Sequence, residues 1–361
     1  MSVPLGAMAQ GAGVPANHVA VAPSIAPDQA PPPDPYGTFT FSVENDLFGG
    51  GTDRYYTNGF QFAWRSPSAD LPSPLAWVND RLEWVLGPGT LRWGASFGQS
   101  IYTPEDTYRR NPDPNDRPYA GYLYGAVSLS RTTELTSRVV ELQLGVVGPS
   151  ALGEFVQNNY HDIFNIKNTE GWDYQLKDEP AATLLYEQKR RVPLGSFGGI
   201  DAEVIPSATL SLGNVQTYAG VGGTFRIGQG LDSDFGPPRI RPALSGSNWV
   251  QPRRGFEWYL FAGVEGRAIA RDIFLDGNTW RDSRSVDKRP LVADFQVGAA
   301  VVWHGVRVAL TQVWRSEEFY GQQGRQKFGP QRVLPLLRSR GLVWKAEVVR
   351  PADRVAFLPP C

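Results

Sequence analysis

Long segments in which apolar and polar residues alternate recur from residue 38 onward, and they constrain the fold more than any other feature. The segment 136–148 is an example, where Val140 and Leu142 lie on either side of Glu141. Strict alternation predicts β-strands that have one apolar face. The predicted strands cover 38–48, 55–66, 91–103, 119–131, 136–148, 181–192, 200–213, 217–228, 256–271, 290–303 and 306–316.

The predicted strands are long for a soluble sheet. Most span roughly ten to thirteen residues, whereas soluble strands usually span about five or six. That length suffices to cross a bilayer at a tilt, and no run of about eighteen apolar residues predicts a transmembrane helix. The 39 glycines, 11 tryptophans and 14 tyrosines suit the turns and aromatic girdles of a membrane barrel. The sequence therefore predicts an all-β chain and favours a transmembrane β-barrel; the alternative is a soluble barrel that binds a ligand in its mouth.

The connections between the predicted strands are unequal in length. Some are tight, such as Gly213–Gln216, whereas four are long: 67–90, 104–118, 149–180 and 229–255. Unequal connections are typical of outer-membrane barrels, which have short turns on one side and longer loops on the other. Within 149–168 the apolar spacing predicts a short helix that carries Gln157 and His161 four residues apart on one face.

The two ends of the chain differ from its middle. Residues 1–37 are rich in Ala, Gly, Val and Pro and contain no Lys or Arg, so we interpret them as a low-complexity leader or the remnant of a signal region. We assign the barrel to 38–329. The tail, 330–361, is rich in proline, and only 341–349 alternates like a strand. Closure through a last strand and an altered reading frame both stay open.

Composition excludes several functional classes. A formal net charge of −1 gives no bulk attraction to nucleic acid, so we expect no nucleic-acid partner. The single cysteine, Cys361, excludes a disulfide within the chain. The chain also lacks a Gly-x-Ser-x-Gly nucleophile elbow, a His-Glu-x-x-His zinc motif, a P-loop and a dinucleotide-binding fingerprint.

A polar cluster interrupts the alternation between residues 41 and 64, FSVENDLFGGGTDRYYTNGFQFAW. Asn45 and Asp46 are adjacent there and would face opposite sides of a regular strand, so a twist or bulge is needed to bring both to one site. Carboxylate and amide oxygens are hard ligands that suit calcium. An ordinary Asx turn at the end of a strand is the alternative interpretation.

Basic residues supply further candidates. Of the three histidines, His161 lies in the polar sequence QNNYHD, whereas His18 belongs to the leader and His304 to a turn-like WHGV. A histidine can act as a general base near neutral pH when a partner sets its tautomer. Arg109 and Arg110 form a basic pair that could bind a phosphate, although a solvated charge pair is equally compatible.

Six segments occur in a fixed order: ENDLF, TDRYYTNG, QSIYTPEDTYRR, DRPYAGYLYG, GVVGPSALGEFVQNNYH and GWDYQL. Together they resemble the LpxR family of outer-membrane lipid A 3'-O-deacylases over roughly residues 38–329. The resemblance implies a transmembrane antiparallel β-barrel of about twelve strands in the bacterial outer membrane, with a short helix in a long extracellular loop. It also implies calcium-dependent hydrolysis of the acyloxyacyl ester at the 3' position of lipid A. The expected partners are lipopolysaccharide and other outer-membrane lipids, and we expect a monomer.

The resemblance also implies roles for individual residues. His161 would activate the attacking water, and Arg109 and Arg110 would bind a phosphate of the substrate. The remaining implied site residues are Asn45, Asp46, Thr57 and Gln157, of which Asn45 and Asp46 would bind calcium.

The sequence departs from the family pattern at Lys167, where the family has a glutamate. Either the nearby Glu170 takes over that role or the role is absent. Two other functions stay open: a non-enzymatic barrel or pore whose lumen the polar cluster lines, and an outer-membrane esterase that acts on phospholipid.

Overall fold

The structure, a computed structural model, describes residues 28–45, 55–68, 71–237, 240, 251, 255–324, 326–328 and 332–336. Its strands are β1 Thr38–Asn45, β2 Tyr55–Arg65, β3 Thr90–Thr103, β4 Ala120–Thr132, β5 Thr136–Val147, β6 Glu179–Arg190, β7 Val192–Phe197, β8 Ile200–Gly213, β9 Gln216–Gln229, β10 Phe256–Asp272, β11 Leu291–Trp303, β12 Val306–Arg315, β13 Gln326–Phe328 and β14 Arg332–Leu336. Its helices are α1 Ser73–Leu86, α2 Gly153–Phe164 and α3 Ile273–Asp276.

The antiparallel pairings close into a ring. Neighbouring strands pair from β1 to β6, β6 pairs with β8, and the pairing continues from β8 to β12. Strand β14 then pairs with both β12 and β1, which joins the two ends of the sheet. Because β7 only extends the hairpin with β8, and β13 pairs only with β12, twelve of the fourteen strands form the ring. The predicted antiparallel barrel of about twelve strands is confirmed.

The polarity of the wall is inverted relative to a soluble barrel. In β10, Glu257, Glu265 and Arg267 are buried on the inner face, whereas Leu260 and Val264 are more than half exposed on the outer face. A polar lumen and an apolar outer band are typical of outer-membrane barrels. A soluble barrel would bury its apolar face instead. No helix within the described residues is long and apolar enough to cross a membrane.

The closing strand differs from the prediction. Residues 332–336 pair with β1, including Pro335 opposite Thr40. The sequence predicts no strand over this segment, because proline lacks the N–H that a sheet requires. The predicted strand 341–349 lies outside the described residues. Helix α1 was also not predicted, and it lies within the connection 67–90.

The two ends of the barrel carry different connections. One end, which we call the α2 end, carries the long connections 104–119, 148–178 and 273–290, together with the tight connection 214–215. The other, which we call the turn end, carries the tight connections 133–135, 198–199 and 304–305, and also the long connections 66–89, which contains α1, and 230–255. Short turns of outer-membrane barrels face the periplasm and long loops face outward. Because three of these four tight connections lie at the turn end and the longest connection, 148–178, lies at the α2 end, we assign the α2 end as the extracellular end, as predicted for the loop helix.

A network of buried charges fills the lumen near the turn end. Its centre is Asp234, which follows β9 and accepts hydrogen bonds from the guanidinium groups of Arg226 and Arg307 and from the Tyr259 hydroxyl (3.0 Å). Arg226 also pairs with the buried Glu203. Burial by itself would raise the pKa of the Asp234 carboxyl, but Arg307 and Arg226 hold that pKa well below its ordinary value. The network fixes the segment after β9 to the inner wall.

Candidate active site

Helix α2 lies at the α2 end and packs against β3 and β4. Its Val156 contacts a buried cluster that contains Ile101, Tyr119 and Trp172. Gly153, at the first turn, is packed so closely that a Cβ atom there would lie 2.9 Å from the Trp172 ring and 3.1 Å from the Gly121 Cα atom of β4. The predicted loop helix is therefore present, and it is fixed to the barrel wall.

The helix brings His161 and Gln157 together as the four-residue spacing predicted. Both side chains are buried, one turn apart on the same face. The His161 ring places Nδ1 2.8 Å from the backbone carbonyl oxygen of Lys167. Because a carbonyl oxygen only accepts, Nδ1 carries the proton. In the neutral ring the lone pair then resides on Nε2, which is the form that a general base requires.

The partner of His161 is the backbone of Lys167, the position at which the sequence departs from the family pattern. The Lys167 side chain is exposed and lies 4.7 Å from the centre of the Tyr108 ring and 3.9 Å from Glu170. Glu170 is itself exposed, and its described contacts are with Lys167 and the backbone of Thr107. The backbone carbonyl at position 167 orients the histidine, and a carbonyl is present whatever the residue. The sequence does not predict this interaction, because a backbone carbonyl does not depend on the residue type.

A second set of hydrogen bonds holds that carbonyl in place. The Asn158 Oδ1 atom accepts from both the backbone N–H (3.0 Å) and the hydroxyl (2.9 Å) of Thr169. The Thr169 hydroxyl in turn accepts from the Trp172 indole N–H at 2.9 Å. These bonds tie the segment after α2 to the helix. Asn158 and Thr169 give no signal in the sequence, because their partners are set only by the folded loop.

Thr57 is buried on β2 beside the same end of β3. Its hydroxyl lies 2.7 Å from the hydroxyl of Thr103. The pairing of β2 with β3 shifts register between Tyr56 and Asn58, and Tyr55 has a φ of 73°. Thr57 is the extra residue at this shift, so a bulge of the predicted kind occurs, but on the neighbouring strand.

The Asn45 and Asp46 pair can be placed only in part. The Asn45 backbone is paired with Asn58, which is paired in turn with Ile101 of β3. Ile101 packs in the cluster that Val156 of α2 contacts, so β1, β2 and α2 meet at the α2 end. The Asn45 side chain and the whole of Asp46 lie outside the described residues.

The arginine pair lies on the exposed surface of the connection 104–119. Arg109 places Nη1 3.8 Å from Asp113, and Arg110 is also exposed. The same connection borders the segment after α2, because the Glu170 N–H donates to the Thr107 carbonyl at 2.8 Å. The pair therefore flanks the candidate site without taking part in its buried core.

A calcium site is not assembled by the described side chains alone. Within the described ranges no group of three or more His, Cys, Asp or Glu side chains could hold a metal ion. The hydroxyls of Thr57 and Thr103 are hard oxygen donors beside the end of β1 and suit calcium chemically. The two predicted ligands, Asn45 and Asp46, stay a prediction.

Comparison with known proteins identifies the family. The family described as outer membrane protein LpxR matches residues 14–333. Among solved structures, LpxR from Salmonella typhimurium aligns over 83% of this chain and 100% of its own length, with 21% sequence identity and a TM-score of 0.67. The β domain of the Bordetella autotransporter BrkA covers 84% of this chain and 98% of its own, but its TM-score is 0.38 at 8% identity. No curated protein sequence matches the chain. The family match over most of the chain, together with the inverted barrel, shows that the chain belongs to the LpxR family of outer-membrane proteins.

Proposed function

We propose that this protein is an outer-membrane lipid A-modifying enzyme that hydrolyses the ester holding the 3'-linked acyloxyacyl chain. The observation that carries the proposal is the buried His161, whose Nδ1 proton is committed to the Lys167 carbonyl. That bond sets the tautomer in which Nε2 can accept a proton. Membership of the LpxR family supports lipid A as the substrate class.

The proposed reaction needs no protein nucleophile. His161 Nε2 takes a proton from a water molecule, and the water oxygen forms a bond to the ester carbonyl carbon. The resulting tetrahedral intermediate breaks its bond to the sugar oxygen, which receives the proton from the imidazolium. The products are a free carboxylic acid and a sugar hydroxyl. The absence of a nucleophile elbow from the sequence is consistent with this route.

Neighbouring polar groups would stabilise the charge that develops. Gln157, buried one turn before His161, carries amide N–H donors that can stabilise the oxyanion of the intermediate. We propose that Asn45 and Asp46 hold calcium together with nearby oxygen donors such as the Thr57 hydroxyl. When bound, calcium supplies Lewis-acid stabilisation of negative charge on the carbonyl oxygen.

The arginine pair would position the substrate. Arg109 and Arg110 are exposed at the α2 end, beside the segment that orients His161. Guanidinium groups bind phosphate oxygens in a bidentate manner. We propose that they bind a phosphate of the lipid A headgroup at the extracellular surface.

The test is mass spectrometry of lipid A from a bacterial host that expresses the chain and has no deacylase of its own. We expect the wild type to yield lipid A that lacks the 3'-linked chains. His161→Ala should leave lipid A fully acylated, because loss of a general base costs roughly 10²- to 10⁴-fold in rate. Treatment of membranes with a chelator should slow the wild-type reaction, and added calcium should restore it.

His304→Asn is the matched control. His304 is exposed in the turn between β11 and β12 at the turn end, and its φ of 48° is one that asparagine tolerates. This variant should deacylate like the wild type. If lipid A is unchanged by the wild type while phospholipid is cleaved, the substrate assignment is wrong. If the His161→Ala variant still deacylates, the assignment of the base is wrong.

A further inference from the structure

Helix α1 lies against the outer face of the barrel wall. The outward-facing Arg131 of β4 donates to the Gly87 carbonyl (3.0 Å) and to the Asn79 side chain (3.1 Å), and Arg138 of β5 donates to the Leu86 carbonyl (3.4 Å). Arginines that bond the last carbonyls of a helix stabilise its C-terminal end. The helix is therefore fixed to β4 and β5 through its C-terminal half.

Burial on the outer face confirms where the helix packs. Val127 and Leu129 are two residues apart on β4 and point to the same side of the sheet. Val127 is 44% exposed, whereas Leu129 is only 3% exposed. The difference arises where α1 contacts β4, next to Arg131. The helix thus covers part of the outer wall instead of extending below it.

The opposite face of α1 presents two tryptophans. Trp77 is 59% exposed and Trp84 is 85% exposed, and their seven-residue spacing places them on one side of the helix. The Arg81 guanidinium lies 3.6 Å from the centre of the Trp77 ring. Helix residues that pack inward, such as Asn79 and Leu86, lie on the other side. These two large exposed rings require a binding partner that accommodates both the apolar ring and the polar N–H of tryptophan.

The outer wall shows what that partner is. In the described strands, four tryptophans face outward within about three residues of the turn end, as in the aromatic girdles of membrane barrels: Trp64 of β2, Trp93 of β3, Trp258 of β10 and Trp303 of β11. Such girdles mark the level at which the hydrocarbon of the bilayer meets its headgroups. Arg131 and Arg138, which hold α1, lie at the same end of β4 and β5.

We propose that α1 is an interfacial helix that inserts Trp77 and Trp84 into the headgroup–acyl boundary of the periplasmic phospholipid leaflet. The two tryptophans of the helix thereby extend the girdle outward, away from the barrel wall. Amphipathic helices that lie in the membrane interface bury their aromatic side chains in this manner. The helix carries two acids, Asp80 and Glu83, and one base, Arg81, so it has no excess of positive charge and the rings provide the recognition.

Site-directed fluorescence tests the proposal. In a Cys361→Ser background, which removes the only native thiol, Trp84→Cys is labelled with an environment-sensitive fluorophore. The protein is reconstituted in vesicles of phosphatidylethanolamine and phosphatidylglycerol that contain brominated acyl chains. We expect the lipid bromines to quench the probe and aqueous iodide to leave it nearly unquenched.

Two control positions calibrate the measurement. Leu142→Cys reports the lipid-facing wall, because Leu142 is outward and exposed, and Asn115→Cys reports water in the connection 104–119. Trp84 is so exposed that its replacement removes little packing from the fold. If iodide quenches the position-84 probe as strongly as the position-115 probe and brominated lipid does not, the proposal is overturned. The result does not depend on catalytic activity.

Discussion

Buried polar groups are held differently at the two ends of the barrel. At the turn end, Asp234 is bound by two guanidinium groups, so buried charge is balanced by buried charge. At the α2 end, His161 is bound by a backbone carbonyl, and the segment that supplies the carbonyl is held by the neutral side chain of Asn158. A carbonyl orients an imidazole without adding a charge beside it. Paired ions suit a structural role, whereas the neutral arrangement suits proton transfer.

The contrast concerns position as well as chemistry. The ion network fixes the segment that follows β9 inside the lumen, where it is buried in protein. The candidate site lies where α2, β2 and β3 meet beneath the extracellular connections. The network therefore stabilises the barrel from within, and the site lies at the membrane end where lipid A headgroups are found. Variants at the two ends should separate stability from activity.

The largest expected effect on stability is that of Asp234→Ala. The substitution leaves Arg226 and Arg307 without their shared carboxylate. Breaking a buried ion pair by removing one partner costs about 3–5 kcal/mol. Urea unfolding in lipid vesicles, followed by the gel shift of the folded barrel, measures the loss. Asp282→Ala, an exposed acid in the connection 273–290, is the control and should change nothing.

The difference in unfolding free energy between the wild type and Asp234→Ala should depend on pH. Because the folded-state pKa of Asp234 is depressed, its contribution is fully present above the unfolded-state pKa of about 4. The contribution is lost as the pH falls toward the folded-state value. The difference in unfolding free energy between wild type and Asp234→Ala should therefore shrink below about pH 4. A difference that grows on acidification would contradict the assigned charge state.

Asn158→Ala should affect activity more than stability. The substitution removes the acceptor for both Thr169 bonds and frees the segment whose Lys167 carbonyl orients His161. Loss of a group that positions a functional side chain typically costs about 10- to 100-fold in activity. The pH profile of deacylation should also shift, because the imidazole loses its fixed partner.

The adjacent residue provides a matched control for that variant. Asn159 is exposed, and among the described residues its side chain bonds locally, to the Phe155 carbonyl at 2.6 Å. Asn159→Ala should therefore retain the wild-type rate and pH profile. Equal losses in the two variants would mean that α2 tolerates no change on either face, and the positioning role of Asn158 would be refuted.

Thr57→Val should have a smaller effect, of about 1 kcal/mol, on the free energy of unfolding. It removes one partner of the buried Thr57–Thr103 hydrogen bond and leaves the other hydroxyl unsatisfied. The double variant Thr57→Val with Thr103→Val should lose less than the sum of the single variants. Additive losses would show that the two hydroxyls are not coupled. Calcium binding by the same proteins, measured calorimetrically, tests whether the Thr57 oxygen is a ligand.

The smallest effect on stability is expected for Arg109→Gln combined with Arg110→Gln. Both residues are exposed, and exposed ion pairs contribute about 0–1 kcal/mol. The apparent KM for phosphorylated lipid A should rise, while that for lipid A stripped of phosphate should not. Arg281→Gln, an exposed arginine in the connection 273–290, is the control. An equal rise in KM for both substrates would contradict phosphate binding.

The sequence was most informative where structure depends on local periodicity. Alternation located eleven ring strands to within a few residues, and the four-residue spacing placed Gln157 and His161 on one helical face. It was least informative where proline or loops intervene. Pro335 is unfavourable in a sheet, yet it belongs to the strand that closes the ring. Helix α1, in the connection 67–90, was not predicted either.

The amino-acid sequence by itself determined the fold class of this protein. Polar and apolar residues alternate along each strand, and this alternation places polar side chains in the lumen and apolar side chains on the outer wall. The sequence also supplied the histidine. Only the tertiary structure decided what that histidine contacts, because its partner is a backbone carbonyl brought near by the loop after α2. Ring closure through β14 and the docking of α1 on the wall were decided in the same way. These contacts join residues that are far apart in the chain, so the local periodicity of the sequence does not predict them.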